Sequence, residues 1–148
     1  MSQPTLLLAE DHPETAEMLC GLLRGEFDVV ARVADGLALV SAAARLVPDV
    51  IVSDISMPGL NGIAAAGVIL RANPAARIVL VTVHGDSGLV ERGMAAGALG
   101  FVWKLVAGDD LMPAVRAALR GERHVSPALQ GSEKSFRHDN DTRPICQS

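Results

Sequence analysis

The sequence predicts an α/β domain: a parallel sheet with helices on both faces, a three-layer sandwich. Three observations carry that reading. Short apolar runs alternate five times with segments of helical period. The runs are rich in Val, Ile and Leu without polar alternation, as in strands buried on both faces. Polar and charged residues gather where those runs end, and ligand chemistry collects at the carboxyl ends of strands in open α/β sheets.

The first strand is Thr5 to Ala9, followed by Glu10, Asp11 and His12. Pro13 suits the first turn of a helix. That helix is expected to bury Met18, Leu19, Leu22 and Leu23 and to stop at Gly25. Phe27 to Val33 reads as the second strand, broken by Ala34-Asp35-Gly36. Leu39, Val40, Ala43 and Leu46 mark the inner face of the second helix, which ends before Pro48. The third strand carries the β-branched run Val50-Ile51-Val52 and leads to Asp54. Met57-Pro58-Gly59 and Asn61-Gly62 then end it as turn-formers. Ile63, Ala66 and Leu70 give the third helix its apolar side, and Asn73-Pro74 ends it.

Arg77 to Thr82 is the fourth strand, and His84-Gly85-Asp86 turns the chain. Asp86 or Ser87 is placed to cap a fourth helix with Leu89, Val90 and Met94 inward. Its interior glycines make it the weakest helix of the set, at about 1 kcal/mol each, and it closes at Gly97. Ala98 to Trp103 is the fifth strand, with Lys104 at its end. Leu111, Val115, Ala118 and Leu119 define the fifth helix, which stops at Gly121. Pro113 must lie near its first turn or remove a backbone hydrogen bond.

With 148 residues the chain is expected to form one domain over 1–125, followed by a disordered tail over 126–148, where apolar residues are few and no period is visible. Apolar residues make up 49% and aromatic ones 3%, so the core must be built from Ala, Val, Leu and Ile. A formal net charge of -4 disfavours a globally basic nucleic-acid binder. Arg116, Arg120, Arg123 and His124 read as a solvated helix end. Cys20 falls on a buried helix face and Cys146 in the tail, so no disulfide is expected. No apolar run approaches the ~18 residues of a membrane span. A soluble, cytoplasmic protein is the expectation.

The strand ends supply a constellation. The first offers Glu10 and Asp11, the third Asp54, the fourth Thr82 and the fifth Lys104. Taken singly each has a plainer role: Asp54 as a turn cap, Asp11 as a helix cap, Thr82 as a β-branched strand residue. Together, three acids on one rim repel one another unless a cation neutralises them. Mg²⁺, which prefers oxygen ligands, does this best. The amine and hydroxyl are then placed to hold phosphoryl oxygens, and a carboxylate can itself accept a phosphoryl group.

This set resembles the receiver domain of two-component response regulators. The matching residues are Glu10-Asp11, Asp54 with its M-P-G-x-N-G continuation, Thr82, and Phe101 three before Lys104. The stretch A-G-A-L-G-F-V-W-K also resembles that family, and S-D-I-S-M-P-G-L-N-G, V-T-V-H-G-D and A-V-R-A-A-L-R-G-E-R-H-V-S-P are most similar to its NarL/FixJ type. The resemblance covers about Thr5 to Gly121. It implies a flavodoxin-like (βα)5 fold with strand order 2-1-3-4-5. It further implies that Asp54 accepts a phosphoryl group from a histidine kinase or histidine phosphotransfer protein. Asp11, Asp54 and the Ser56 carbonyl would bind Mg²⁺, with Glu10 acting through water. Lys104 and Thr82 would hold phosphoryl oxygens. Phe101 would be the switch residue beside Thr82, although an aromatic in a strand is ordinarily core. The readout surface would be the fourth helix, fifth strand and fifth helix, meeting a downstream protein or a second copy after phosphorylation.

Val83 stands where many receivers carry Ala, Ser or Gly, and a larger side chain there is expected to slow hydrolysis. His84, two after Thr82, is placed to affect the same rate. Leu105 follows Lys104 where many receivers have Pro, so no cis peptide is expected there. A helix-turn-helix domain does not fit in the residues after Ser126, so no direct DNA binding is expected, and the chain reads as a single-domain regulator or as the remnant of a longer one. It is not expected to be an enzyme beyond its own phosphoryl acceptance and hydrolysis. Two rivals remain: a phosphorylation-independent interaction module, and an aspartate-nucleophile phosphatase, against which Ser56 stands where a second Asp would serve as acid. A dinucleotide site is disfavoured, because E-D-H-P rather than a glycine-rich loop follows the first strand.

Overall fold

The computed structural model describes residues 3–83, 87–127 and 129. Six strands form one all-parallel sheet: β1 (Thr5–Ala9), β2 (Asp28–Val33), β3 (Val50–Asp54), β4 (Ile78–Thr82), β5 (Gly100–Trp103) and β6 (His124–Val125). Their order is β2-β1-β3-β4-β5-β6. Five helices link them: α1 (Pro13–Leu23), α2 (Gly36–Leu46), α3 (Gly62–Ala72), α4 (Ser87–Ala96) and α5 (Ala107–Leu119). The sandwich and the order 2-1-3-4-5 are as expected, with one further strand at the β5 edge. β3 and β4 are buried at every position, as befits central strands, whereas β2 alternates as an edge strand.

Strand alternation divides the core in two. Leu6, Leu8, Val50, Val52, Val79, Val81 and Val102 meet α1 and α5. Leu7, Ile51, Leu80 and Phe101 face the other way, toward α2, α3 and α4. The helix faces that meet the sheet are largely alanine. α2 buries Leu39, Ala42 and Ala43, and α3 buries Ala65, Ala66 and Ile69. α5 buries Ala107, Ala114, Ala117 and Ala118 with Leu111 and Val115. Small residues let each helix lie close to the β-branched sheet.

This corrects several core assignments. Met18 is 45% exposed, because the stripe of α1 runs through Ala16, Leu19, Cys20 and Leu23. Leu46 is exposed. Leu22, Val40, Ile63, Leu70, Leu89, Met94 and Leu119 are only partly buried, at the edges of their stripes.

The ends of the elements follow local chemistry. Pro13 opens α1, and the Asp35 and Asn61 side chains cap α2 and α3 by accepting from Ala38 N–H at 2.8 Å and Ala64 N–H at 2.9 Å. Gly97 and Gly121 take φ of 106° and 75° just past α4 and α5. Pro113 lies at the seventh residue of α5, past the first turn, so the Asp109 carbonyl loses its helical partner. The expected caps of α4, Asp86 and Ser87, fall on positions whose side chains lie outside the described residues, as do His84 and Cys146. Cys20 is buried with a free thiol. No cis peptide occurs among the described residues, and no described helix is long and apolar enough to cross a membrane.

Val47 is a local misfit. It caps α2 in the left-handed region, with φ 44° and ψ 62°, and is 65% exposed. A β-branched residue there is strained. Val47→Asn is expected to stabilise the fold by about 0.5–1 kcal/mol, read as a higher urea midpoint at unchanged slope. An unchanged or lower midpoint would contradict the assigned strain.

The folded unit does not stop at residue 125. Ser126 and Leu129, assigned to the tail from sequence, are both fully buried. His124 and Val125 pair with Gly100 and Phe101 of β5. His124 thus belongs to a strand rather than to a solvated helix end. The three arginines are exposed, as expected, and two make surface ion pairs: Arg116 with Glu26 at 2.7 Å and Arg120 with Glu122 at 2.9 Å.

Candidate phosphorylation site

All five anticipated side chains lie on the carboxyl rim of the sheet. Glu10 directly follows β1, and its backbone N–H donates to the Val33 carbonyl at 2.9 Å, which fixes it beside β2. The residue is 4% exposed, and Oε2 accepts the His12 N–H at 3.1 Å. Asp54 is the last residue of β3 and is also 4% exposed. Thr82 is the buried last residue of β4. Lys104 opens a 3-10 turn after β5. Its stem carries the ammonium across β4 to the acids on β3 and β1. Nζ lies 2.7 Å from Glu10 Oε1 and 3.3 Å from Asp54 Oδ2.

The loop after β3 is folded back onto the site. Ile55 N–H donates to the Val81 carbonyl at 3.1 Å, and Gly62 N–H to the Ile55 carbonyl at 2.8 Å. Ile55 and Met57 are buried beneath it, Gly59 turns at φ 71°, and Ser56 is exposed. The Ser56 N–H donates to the Asp54 carboxylate. Gly62 opens α3 pressed against the Asp54 carbonyl, where a Cβ would overlap it.

Charge is not balanced here. Burial raises the Asp54 carboxyl above the ordinary aspartate value, and the Glu10 charge adds to this. Lys104 and the Ser56 N–H oppose both without cancelling them. Asp11 Oδ1 is buried with no hydrogen-bond partner. Glu10 Oε1 meets Lys104 by close ionic contact alone, without hydrogen-bond geometry. Glu10, Asp11, His12 and Asp54 each offer an atom within 4.8 Å of the others. An oxygen-rich set with an orphaned carboxylate oxygen fits a hard divalent cation.

His12, next in the chain after the two acids, also reaches the site. Its Nδ1 stands 3.2 Å from Asp11 Oδ1 and 3.3 Å from Glu10 Oε2, although the ring is largely exposed. Only its place beside two acids hinted at this. An open cleft leads to the acids between Asp11 and His12 on one side and Leu89 and Arg92 of α4 on the other, with Ser56 and Pro58 along it. Val83 is exposed at the rim, and its carbonyl accepts the Trp103 indole N–H at 3.4 Å. Phe101 is fully buried. Its ring lies under Gly93 of α4, where a Cβ would overlap the ring and approach Leu80 Cδ1 to 3.0 Å.

Residues 6–116 match the family described as the response regulator receiver domain. The chain belongs to the receiver domain family. It is 38% identical over 115 residues to the DNA-binding response regulator MtrA of Mycolicibacterium smegmatis, covering 78% of this chain and 50% of MtrA. It is 31% identical over 144 residues to the response regulator GacA of Pseudomonas aeruginosa, covering 95% of this chain and 67% of GacA. The chain thus spans half to two thirds of these relatives. A crystal structure of a LuxR-family two-component response regulator from Aurantimonas sp. SI85-9A1 superposes with a TM-score of 0.87 at 33% identity, over 92% of this chain and 99% of that one. This receiver domain therefore has the fold of response regulators, with an acidic cluster at the rim where the sequence placed one.

Proposed function

We propose that this receiver domain accepts a phosphoryl group on Asp54 from a phosphohistidine of a histidine kinase or histidine phosphotransfer protein. The observation that carries the reading is the convergence of Asp54, Glu10, Asp11 and Lys104 at the end of the sheet, with a buried Asp11 oxygen that makes no hydrogen bond. An Asp54 carboxylate oxygen attacks the phosphorus. The P–N bond breaks, and the imidazole leaves with the electron pair and takes up a proton. Lys104 neutralises charge gathering on the phosphoryl oxygens, and the Thr82 hydroxyl donates to one of them. Asp11, Asp54 and the Ser56 carbonyl, with Glu10 through water, would hold Mg²⁺, which supplies charge neutralisation. Water later hydrolyses the acyl phosphate, so the chemistry stays on the protein's own aspartate and no separate substrate is turned over. Output passes by protein contact on α4, β5 and α5, to a downstream protein or a second copy, in the cytoplasm.

Incubation with a small phosphodonor and Mg²⁺ tests this. The wild type is expected to gain the mass of one phosphoryl group and Asp54→Ala none. No gain on the wild type, or an equal gain on the variant, would end the reading.

Lys104 competes with a metal for Glu10. Lys104→Met is expected to tighten Mg²⁺ binding about tenfold, roughly 1.4 kcal/mol of relieved charge competition. It is also expected to slow phosphoryl uptake at least as strongly. The lone tryptophan, Trp103, reports the titration by fluorescence. Equal or weaker Mg²⁺ affinity in the variant would contradict the competition.

A further inference from the structure

The described residues past α5 are built onto the strand that carries Phe101. His124 N–H donates to the Leu99 carbonyl at 2.9 Å, and Ser126 N–H to the Phe101 carbonyl at 2.8 Å. Trp103 N–H donates to Ser126 Oγ at 3.1 Å. The free edge of β5 is thereby taken up by His124, Val125 and Ser126. Asp110 of α5 clasps them from the side: Oδ1 meets His124 Nε2 at 2.9 Å, and Oδ2 accepts the Ser126 hydroxyl. Aspartate stands between serine and histidine here, so the trio is a clasp and not an activated nucleophile. Leu129 N–H donates to the Ser126 carbonyl at 2.9 Å, and Leu129 and Val125 are buried in the same cluster as Phe101 and Leu80.

This strap has two properties of a moving part. Its ladder is two residues long and hangs from a turn at Gly121, so its hold depends on the Asp110 clasp, the Ser126 bonds to β5 and the burial of Val125 and Leu129. It also shares a buried cluster with Phe101, whose ring fills the space under Gly93. Phe101 and Trp103 pair with Leu80 and Thr82 of β4, so the strap is one strand removed from Thr82. Thr82 is in register with Trp103, whose N–H holds Ser126, and Leu80 with Phe101, whose carbonyl holds the Ser126 N–H, so β5 joins the strap to the Asp54 rim.

We propose that the strap of His124, Val125, Ser126 and Leu129 is the outlet of the switch. It is docked on β5 while Phe101 fills the slot under Gly93, and it is released when Phe101 leaves that slot. This rests on Asp54 as the phosphoryl acceptor. Phosphoryl at Asp54 holds Phe101 in and therefore holds the strap down, and by linkage the docked strap favours phosphoryl-like ligands at Asp54. A partner that reads β5 meets the strap rather than a bare strand edge.

The test uses the full chain with Mg²⁺ and fluoroberyllate, a phosphoryl analogue. Amide exchange at His124 and Ser126 is expected to slow at least fivefold when fluoroberyllate binds. Ser126→Ala and Leu129→Ala are expected to weaken fluoroberyllate binding by a similar factor. Binding followed by Trp103 fluorescence with unchanged strap exchange would overturn the proposal. So would a folded Leu129→Ala that melts lower but binds fluoroberyllate as the wild type does, which is the mark of a merely structural role. Failure of the wild type to bind fluoroberyllate at all would instead overturn the reading of Asp54, and the strap's role with it.

Discussion

Asp54→Asn is expected to take up no phosphoryl group and to melt higher than the parent at neutral pH. The first effect follows from loss of the nucleophilic oxygen. The second follows from charge. The Asp54 carboxyl is raised by burial and by Glu10, so the folded chain holds that proton more tightly than the unfolded chain does. The stabilising contribution is fully present below the unfolded value and is lost as pH rises through the folded value. At pH 7 the ionised group therefore costs stability, and Asn removes that cost while Lys104 keeps Glu10 as a partner. The gain is about 1 kcal/mol, or roughly 3–5 °C in Tm. The gap between variant and parent should close as pH falls through the folded value. A variant that melts lower at pH 7 would mean that the Lys104 contact outweighs burial.

Gly62→Ala should be the most damaging single change near the site that leaves its polar groups in place. Its Cβ would overlap the Asp54 carbonyl oxygen and come within 3.0 Å of Ile55 Cα and 3.1 Å of the Asp54 carbonyl carbon. All three are backbone atoms at the end of a buried strand, which cannot step aside as a flexible side chain can. The expected loss is about 3 kcal/mol, with Tm down by about 10 °C. Phosphoryl uptake should slow as well, because the displaced residue is Asp54. Gly67→Ala is the control on the same helix. Its Cβ meets only Arg71 Nη1 at 3.8 Å, and removing a helical glycine gains up to about 1 kcal/mol. Comparable thermal losses at the two positions would refute the close-approach account.

Gly62 also shows what a sequence can and cannot reveal. Asn61-Gly62 reads as a turn, and Asn61 does cap α3. The reason for glycine, however, is a carbonyl packed against it, which no local pattern records. The strand tips were legible, because a β-branched run followed at once by an acid, hydroxyl or amine names both the strand and its end. The helix faces were read less well, since weight fell on large side chains such as Met18 and Leu46 while alanines did the packing. β6 was not legible. Two residues show no period, and the strand exists because β5 has an edge to fill and Asp110 of α5, 14 and 16 residues away in the chain, holds His124 and Ser126 to it.

The central claim is that one aspartate carries the phosphoryl group. Borohydride reduction of the phosphodonor-treated chain converts an aspartyl phosphate to homoserine, and peptide mass mapping then locates it. Homoserine at position 54, formed with Mg²⁺ and absent after chelation, is the expected result. Homoserine at position 11 or elsewhere, or none at any position in a chain that has gained phosphoryl mass, would contradict it.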